Sequence, residues 1–462
     1  MSKFEDIEIH PIALALTLAM GVAMLLIRRD RAVVPVLLVA CLVTHAQRIV
    51  VAGFDLSMLR IVVLFGLTRI ILRGETRFYR FHPLDSVLAI WLGCGTLAYI
   101  LGPRGSIDAF VQRLGLSLDA AGTYFLFRVL LHDVRNTQQA VGAFSWIALA
   151  MVGPMIVENL TGANAFAALG GVPEHTVIRD GRLRCQASFS HPIMVGNFGA
   201  STVALLGGLW LGLPRERLQH SAGLAAATGI TLLSASGGPL IALMTAVLGW
   251  VLWPYRRFMP VLRWGTVAGL VAIHLAREKP VWHLVGRLGS ISGGASWHRY
   301  QVIDAFINHF TEWWFLGAGS VDHWEVSASA RDITNQYVLE GIRGGLPTLL
   351  SLVGLLCMAF WTVGWSVRHA IARKDWTAPE RRRAALLAWS LGVCLAVHSV
   401  AFMGVSYFGQ LQSIFFLQLA MIPSLACAVA RTSTRPTFGK TSRMPERSPR
   451  HWPGPRGVSP GG

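Results

Sequence analysis

Apolar runs of roughly 17–22 residues, long enough to cross a bilayer as helices, recur along the chain between short polar connectors. They lack the strict apolar–polar alternation of membrane barrel strands. The pattern predicts an all-α polytopic membrane protein with about 12–13 transmembrane helices. The predicted spans lie near 11–27, 32–52, 57–72, 84–101, 109–131, 139–157, 192–213, 221–234, 239–253, 260–276, 336–365, 384–402 and 410–430.

Composition and charge agree with this class. Of the 462 residues, 53% are hydrophobic and only 14% are charged, whereas a soluble domain has about 25% charged residues. The net charge is +17. In a membrane protein such an excess anchors cytoplasmic loops, so we expect no nucleic-acid partner.

The basic connectors give an orientation. Seven of them are rich in arginine, and placing all seven in the cytoplasm satisfies the positive-inside rule. The prediction is a single transmembrane domain over residues 1–430, with non-cytoplasmic loops near 158–191 and 277–335. Residues 431–462 are rich in Pro, Ser, Arg and Gly, which predicts a disordered, basic cytoplasmic tail.

The stretch from Glu278 to Gly345 is the most unusual part of the chain. Its first part is a long aromatic loop with many ionisable residues, the kind of segment that often carries function in a membrane protein. Within it, apolar residues recur at spacings of three and four from Trp297 to Trp314. This predicts an amphipathic helix in the membrane interface. Arg299 lies on its apolar stripe and needs a partner such as a lipid phosphate.

Arginines are also frequent on the side predicted to be non-cytoplasmic. A coding bias against lysine, or side chains reaching to the interface, explains any single one. Together they indicate an anionic ligand, because guanidinium groups bind phosphate through two parallel hydrogen bonds. They are Arg48, Arg60, Arg104, Arg113, Arg179, Arg182, Arg184, Arg277, Arg287, Arg299, Arg331 and Arg343.

The loop before the span at 192–213 offers such a site. Arg182 and Arg184 lie shortly before His191 and Pro192. Proline in a first helical turn leaves the neighbouring N–H groups and the positive end of the helix dipole facing outward. A phosphate there would meet both the arginines and the helix end. Alternatively, His191 is only a polar residue at the membrane interface.

The span after the long loop carries one polar line, formed by Gln336, Glu340 and Arg343 at helical spacing. Glu340 and Arg343 either pair with each other or Glu340 is a carboxylate near the reacting groups. Gly341, Gly344 and Gly345 permit close approach of a neighbouring helix. There is no Asp–x–Asp pair and no histidine spacing typical of a metal site. We therefore expect no metal and no other cofactor.

Three stretches, in this order, resemble the bacterial family of O-antigen ligases and of O-antigen and exopolysaccharide polymerases. They are RLRCQASFSHPIMVGNF from Arg182, LLSASGGPLIALM from Leu232, and FLGAGSVDHW…TNQYVLEGIRGGLP from Phe315. The resemblance implies a metal-independent, inverting glycosyltransferase of the bacterial inner (cytoplasmic) membrane, with its active site on the periplasmic side. Its donor is an undecaprenyl-diphosphate-linked oligosaccharide, and its acceptor is a glycan or a lipid in the bilayer. Further polysaccharide-assembly proteins are expected partners.

By the same resemblance, Arg184 and Arg299 would bind the diphosphate, and Asn335 and Glu340 match the polar positions of the family's span after the loop. We add Arg182 and His191 to the predicted diphosphate site because of their place at the loop and helix end described above, and Asn335 because of this match. Two departures favour a polymerase over a lipopolysaccharide ligase. Many ligases carry a histidine where this chain has Thr334 and an arginine where it has Gly237. The base that activates the acceptor is left open between Glu340, His323 and Asp322, and Glu340 is favoured by its closeness to the shared motif.

Two other classes of protein fit the pattern of spans. A transporter of an anionic or lipid-linked substrate also combines many helices with polar groups inside the membrane. The long loop, predicted to lie on one side only, favours the enzyme. A structural membrane subunit without activity is the third interpretation.

Overall fold

The computed structural model describes residues 9–51, 54–103, 105–284, 296–324, 326 and 333–431. These residues are almost entirely helical, with two short β-hairpins. The first part contains α1 (Pro11–Leu26), α2 (Val33–Leu42), β1 (Arg48–Val51), β2 (Phe54–Ser57), α3 (Met58–Leu72), α4 (Pro83–Leu101), α5 (Ile107–Leu130), α6 (Val134–Thr161), β3 (Val177–Arg179) and β4 (Arg182–Arg184). The second part contains α7 (Pro192–Gly212), α8 (Arg217–Leu233), α9 (Gly237–Val251), α10 (Met259–Ala276), α11 (Ser296–Asn308), α12 (Phe310–Trp313), α13 (Gln336–Ala372), α14 (Ala378–Ala401) and α15 (Gln410–Ala430).

Seven of these helices are long and apolar enough to cross a membrane: α4, α6, α7, α10 with the turn before it, α13, α14 and α15. The predicted class, an all-α membrane protein, is confirmed at this level. The higher count of 12–13 spans stays a prediction. α1 and α9 are apolar but shorter, and α5, although it has 24 residues, carries ionisable groups such as Arg113 and Asp119.

One predicted span is wrong in its extent. The apolar run at 32–52 forms a helix only as far as Leu42. Its second half instead forms β1, which pairs with β2 in an antiparallel hairpin. Strand β1 contains Ile49, Val50 and Val51, whose β-branched side chains favour strands. Hydrophobicity alone did not distinguish the two structures.

The centre of the helix bundle is formed by α7 and α15, whose side chains are buried along most of their length. Glycines on α7 let neighbouring helices approach closely. A methyl group added at Gly199 would contact Thr231 of α8, and one at Gly208 would contact Ser390 of α14. Small residues at such interfaces are typical of helix packing in membranes. By contrast, no residue of α10 is buried.

The long helix α13 is broken near its start. Gly345 has φ 71° and ψ −174°, a conformation that is essentially restricted to glycine. The break frees backbone groups, which the segment after α12 satisfies: the Ala318 N–H donates to the Ile342 carbonyl at 2.9 Å, and the Leu346 N–H donates to the Trp314 carbonyl at 2.7 Å. The loop before α13 is thereby tied to the first turns of that helix.

The predicted amphipathic helix is present, but it is interrupted at His309 and becomes α11 and α12. Its side chains buried within the protein include Val302, Phe306 and Trp313, whereas Phe310 and Trp314 are exposed on the protein surface. Phe306 and Trp313 stack with ring centroids 3.8 Å apart. A methyl group at Gly341 would lie only 2.5 Å from the Phe306 ring. Gly341 therefore permits a close approach, as predicted, and the helix that approaches is α11.

The break at Gly345 gives a testable prediction. Gly345→Ala should lower the thermal stability of the purified protein, because a methyl group there would overlap the Phe315 carbonyl. The backbone conformation alone costs a non-glycine residue about 1–3 kcal/mol. The matched control is Gly354→Ala in the same helix, where no atom lies within 4 Å of the added methyl group. Equal stability of both variants would contradict the break.

Candidate functional site

The eight residues 402–409, which join α14 to α15, form a short connector where distant parts of the chain meet. We call them the 402–409 connector. Gln336 makes two hydrogen bonds to the connector, each of 2.8 Å. Its backbone N–H donates to the Phe402 carbonyl, and its side-chain oxygen accepts from the Tyr407 backbone N–H. The connector also contacts Asn335, Arg299 and His191. It therefore assembles several of the residues that the sequence singled out.

Arg184 is brought to the start of α9. Asp180 and Gly181, both with positive φ, make the two-residue turn between β3 and β4, as Asp-Gly pairs commonly do. The Cys185 N–H then donates to the Leu233 carbonyl at the end of α8. Arg184 is 7% exposed, and its Nη2 donates to the Ser236 hydroxyl at 2.8 Å.

The loop that follows Arg184 is held rigidly by a buried carboxylate. Glu158 at the end of α6 accepts hydrogen bonds from the backbone N–H groups of Gln186 and Ala187 and from the Thr176 hydroxyl. Gln410 at the start of α15 donates to the Ser188 carbonyl at 2.7 Å. Arg184 is thereby positioned by structure on both sides of it.

The first turn of α9 has no side-chain cap among the described residues. The Ser236 hydroxyl at its N-cap donates to the Ser234 carbonyl. The N–H groups of Gly237 and Gly238 therefore have no side-chain acceptor. Uncapped N–H groups and the positive end of the helix dipole favour an anion at such a position.

Arg299 reaches the same place from α11. Its Nε donates to the Gly404 carbonyl of the 402–409 connector at 3.3 Å. A methyl group added at Gly238 would lie 3.9 Å from Arg299 Nη2. Arg184 and Arg299, which are far apart in the sequence, thus flank the first turn of α9. We call Arg184, Arg299 and this first turn the arginine cradle.

The electrostatics of the cradle favour an anion. Burial lowers the pKa of Arg184 below its ordinary value, and the charge of Arg179 lowers it further, while Asp180 opposes this. Burial followed by Arg179 likewise lowers the pKa of Arg299. Arg184 Nε is buried without a hydrogen-bond partner. An acceptor with negative charge would satisfy this donor and offset the repulsion that Arg179 exerts on both guanidinium groups.

Other arginines of the predicted outer set have different roles. Arg48 pairs with Asp55 at 2.8 Å and Arg60 pairs with Asp119 at 2.7 Å, so both have partners within the protein. Arg182 lies opposite Arg179 in the hairpin and is exposed. Arg104, Arg287 and Arg331 lie outside the described residues.

His191 and Asn335 both cap helices. The His191 ring nitrogen Nδ1 accepts from the Ile193 N–H at 3.1 Å at the start of α7, and the ring lies 6.3 Å from that of Phe408 in the connector. The Asn335 oxygen accepts from the first N–H groups of α13, and its nitrogen donates to the Met403 carbonyl. Both residues shape the site. Their predicted contact with phosphate stays a prediction.

Glu340 lies in a small cavity between α4, α5, α13 and α15. The cavity measures about 40 Å³, which has room for a few water molecules. Glu340 is 4% exposed; it accepts from Gln336 at 2.8 Å and from the Trp91 indole at 3.2 Å. The alternative in which Glu340 pairs directly with Arg343 is not realised, although Arg343 lines the same cavity.

His323 and Asp322 lie elsewhere, in an exposed turn after α12. His323 Nε2 is 2.8 Å from a Glu312 carboxylate oxygen, which also accepts from the Trp324 indole at 2.9 Å. These two contacts lower the pKa of Glu312, with the Trp324 hydrogen bond as the largest cause. Asp322 accepts from the Ser320 hydroxyl. In the described part of the chain, neither His323 nor Asp322 contacts the cradle or the Glu340 cavity.

The 402–409 connector and Arg113 are the parts of the site that sequence reasoning missed. The connector reads FMGVSYFG, and its two glycines and four aromatic or sulfur-containing residues were the available signal. Arg113 lines the Glu340 cavity but was counted only among the outer arginines. No group of three or more His, Cys, Asp or Glu side chains arranged to hold a metal ion occurs among the described residues.

Comparison with models of known protein families finds no match for this chain. Comparison with functionally characterised proteins finds no significant match either. Any function must therefore be argued from the site itself.

Proposed function

We propose that this protein is a glycosyltransferase of the bacterial inner membrane that polymerises or ligates lipid-diphosphate-linked oligosaccharide at the periplasmic face. The observation that carries the proposal is the arginine cradle. Two guanidinium groups from distant segments meet at an uncapped helix start, and a buried donor of Arg184 is left unpartnered. A diphosphate fits this arrangement because it accepts two-pronged hydrogen bonds from arginine and favours a helix N-terminus.

The chemistry follows from the leaving group. The acceptor hydroxyl attacks the anomeric carbon of the donor, the bond from that carbon to the diphosphate oxygen breaks, and the lipid diphosphate departs with the bonding electrons. Attack from the opposite side inverts the anomeric configuration. The charge that develops on the diphosphate is stabilised by Arg184, Arg299 and the N–H groups of α9. Such prepositioned donors are usually the largest electrostatic contribution to catalysis.

Glu340 is the base that we propose for the acceptor hydroxyl. Its carboxylate is held by the neutral donors Gln336 and Trp91, and Gln336 also binds the 402–409 connector that contacts Arg299. One connector therefore borders both the cradle and the Glu340 cavity. His323 remains the competing base, because loop closure over the substrate could bring it in. The absence of the two ligase residues at Thr334 and Gly237 favours polymerisation over ligation.

The decisive experiment uses the purified full chain with short lipid-diphosphate-linked repeat units. Longer glycan together with released lipid diphosphate is expected. The matched sample carries Arg184→Ala, which removes a cradle guanidinium. Transport of the lipid-linked substrate across vesicle membranes without any new glycosidic bond would overturn the proposal and support the interpretation as a transporter. If neither longer glycan nor transport is observed in an intact membrane, the remaining interpretation is a structural subunit without activity.

The periplasmic placement gives a separate prediction. His323→Cys in a background lacking other reactive cysteines should react with an impermeant thiol reagent added to intact cells, after the outer membrane is made permeable. Lys374→Cys, in the connector between α13 and α14, should react only after the inner membrane is opened. His323 and Lys374 are both exposed. Labelling of both from outside would contradict the proposed orientation.

A further inference from the structure

The Glu340 cavity contains polar groups that the proposed reaction does not use. Arg113 of α5 is 6% exposed, yet its Nε and Nη2 have no hydrogen-bond partner. Ser117, one helical turn further along α5, also has a buried hydroxyl without a partner. Both side chains line the cavity. Buried polar groups normally find a partner, so three unsatisfied atoms around one space indicate a ligand.

Arg113 is fixed in this place by close packing. Its guanidinium lies against Gly95 of α4, where an added methyl group would overlap Nη2. It also lies 5.9 Å from the centre of the Trp91 ring. The side chain therefore has little freedom to turn towards solvent. Nη2 packs against Gly95, and the side chain as a whole lines the space shared with Glu340 and Arg343.

The charges around the cavity do not balance. Arg113, Arg343 and Glu340 are its charged lining residues, which leaves one positive charge in excess. Glu340 attracts Arg113 and Arg343 repels it. Glu340 accepts hydrogen bonds from neutral groups, so its charge does not satisfy Arg113. A single added carboxylate would balance the charges and accept two hydrogen bonds from Arg113.

We propose that this cavity binds the carboxylate of an acidic sugar, with Arg113 and Ser117 as its ligands and Arg343 beside them. A carboxylate group is comparable in size to the few water molecules that this cavity can hold, and in this proposal the sugar ring lies beyond the carboxylate with its hydroxyl groups towards Glu340. Aromatic side chains such as Phe402 and Tyr407 line the same space and suit the apolar face of a sugar. The inference rests on the proposed function only in naming this sugar as part of the acceptor glycan.

The test measures binding and requires no enzymatic activity. The purified full chain in nanodiscs is titrated with glucuronate, glucose or acetate, and binding is followed by saturation-transfer nuclear magnetic resonance. Glucuronate should bind and glucose should bind at least about tenfold more weakly, because a charge-assisted hydrogen-bond pair is lost. Arg113→Gln should remove this preference. Arg215→Gln, at an exposed arginine far along the chain, should keep it.

The outcomes separate the inference from the proposed function. Equal binding of glucuronate and glucose, or no binding of either, would overturn the acidic-sugar site and leave the cradle chemistry unaffected. If Arg113→Gln does not fold, Ser117→Ala is used in its place and should weaken glucuronate binding several-fold. Undiminished glucuronate binding in Ser117→Ala would also overturn the site. Absence of glycosyl transfer alongside intact glucuronate binding would instead contradict the proposed function alone.

Discussion

Replacing either Arg184 or Arg299 by alanine should reduce formation of longer glycan by at least about 10²-fold, which is the usual effect of losing one donor to a developing oxyanion. Arg184 donates to Ser236 and retains an unpartnered Nε, while Arg299 approaches the same helix start from α11. Each variant would leave one guanidinium to stabilise the leaving diphosphate. The measurement is the rate of product formation at saturating donor.

Lysine at either position should recover little activity. Its ammonium group is a compact charge that cannot reproduce the planar, two-pronged contact of a guanidinium. In Arg184→Lys, the ammonium group would also have to donate to the Ser236 hydroxyl, which leaves fewer N–H donors for the diphosphate. A lysine variant with nearly full activity would show that only the charge at the cradle matters.

Two controls make this result interpretable. Arg215→Ala removes an exposed arginine and should leave the rate unchanged. Protein abundance and thermal stability are measured for each variant, because Arg184 is buried. For a variant with reduced abundance, direct binding of lipid diphosphate to the wild type, competed by inorganic diphosphate, tests the cradle instead. Full activity in both well-folded alanine variants would refute the cradle as the donor site.

The cradle also shows how far the sequence leads. The sequence predicts Arg184 and Arg299, since both depart from the expected charge distribution and the resemblance assigns both to the diphosphate. A phosphate at the start of α7, next to Pro192, stays a prediction, whereas the structure places the two arginines beside the first turn of α9. His191 occupies the N-cap of α7 with its own ring nitrogen, so that helix start is already capped.

The missed elements depend on contacts that no local pattern encodes. The 402–409 connector is important because Gln336, Arg299 and His191 all reach it, and these residues are distant in sequence. In the sequence, Arg113 cannot be distinguished from other arginines near a helix end. Its burial and its unpartnered donor atoms are features of the folded structure alone. The close contacts at the glycines of α13 could be predicted from the sequence, because the absence of a side chain itself permits another segment to approach.

The final prediction separates the two bases. Glu340→Gln should lower the rate of glycan formation by about 10²–10⁴-fold, the usual contribution of a general base, and should leave binding of the lipid-linked donor nearly unchanged. Glutamine keeps the shape of the side chain, but its single amide oxygen can replace only one of the two carboxylate oxygens that accept from Gln336 and from Trp91. Thermal stability is therefore measured beside the rate. The rate and the donor affinity are measured separately, because a purely structural defect would reduce both.

His323→Ala is the matched comparison and should lose much less activity. His323 is exposed and its ring contacts Glu312, whereas Glu340 is buried beside the connector that borders the cradle. A base must lie within hydrogen-bond reach of the hydroxyl in the bound complex, and the same connector borders both the Glu340 cavity and the cradle. A larger loss in His323→Ala than in Glu340→Gln would reverse the assignment. The loop turn would then have to close over the substrate, and Glu340 would serve only to hold Gln336 against the connector.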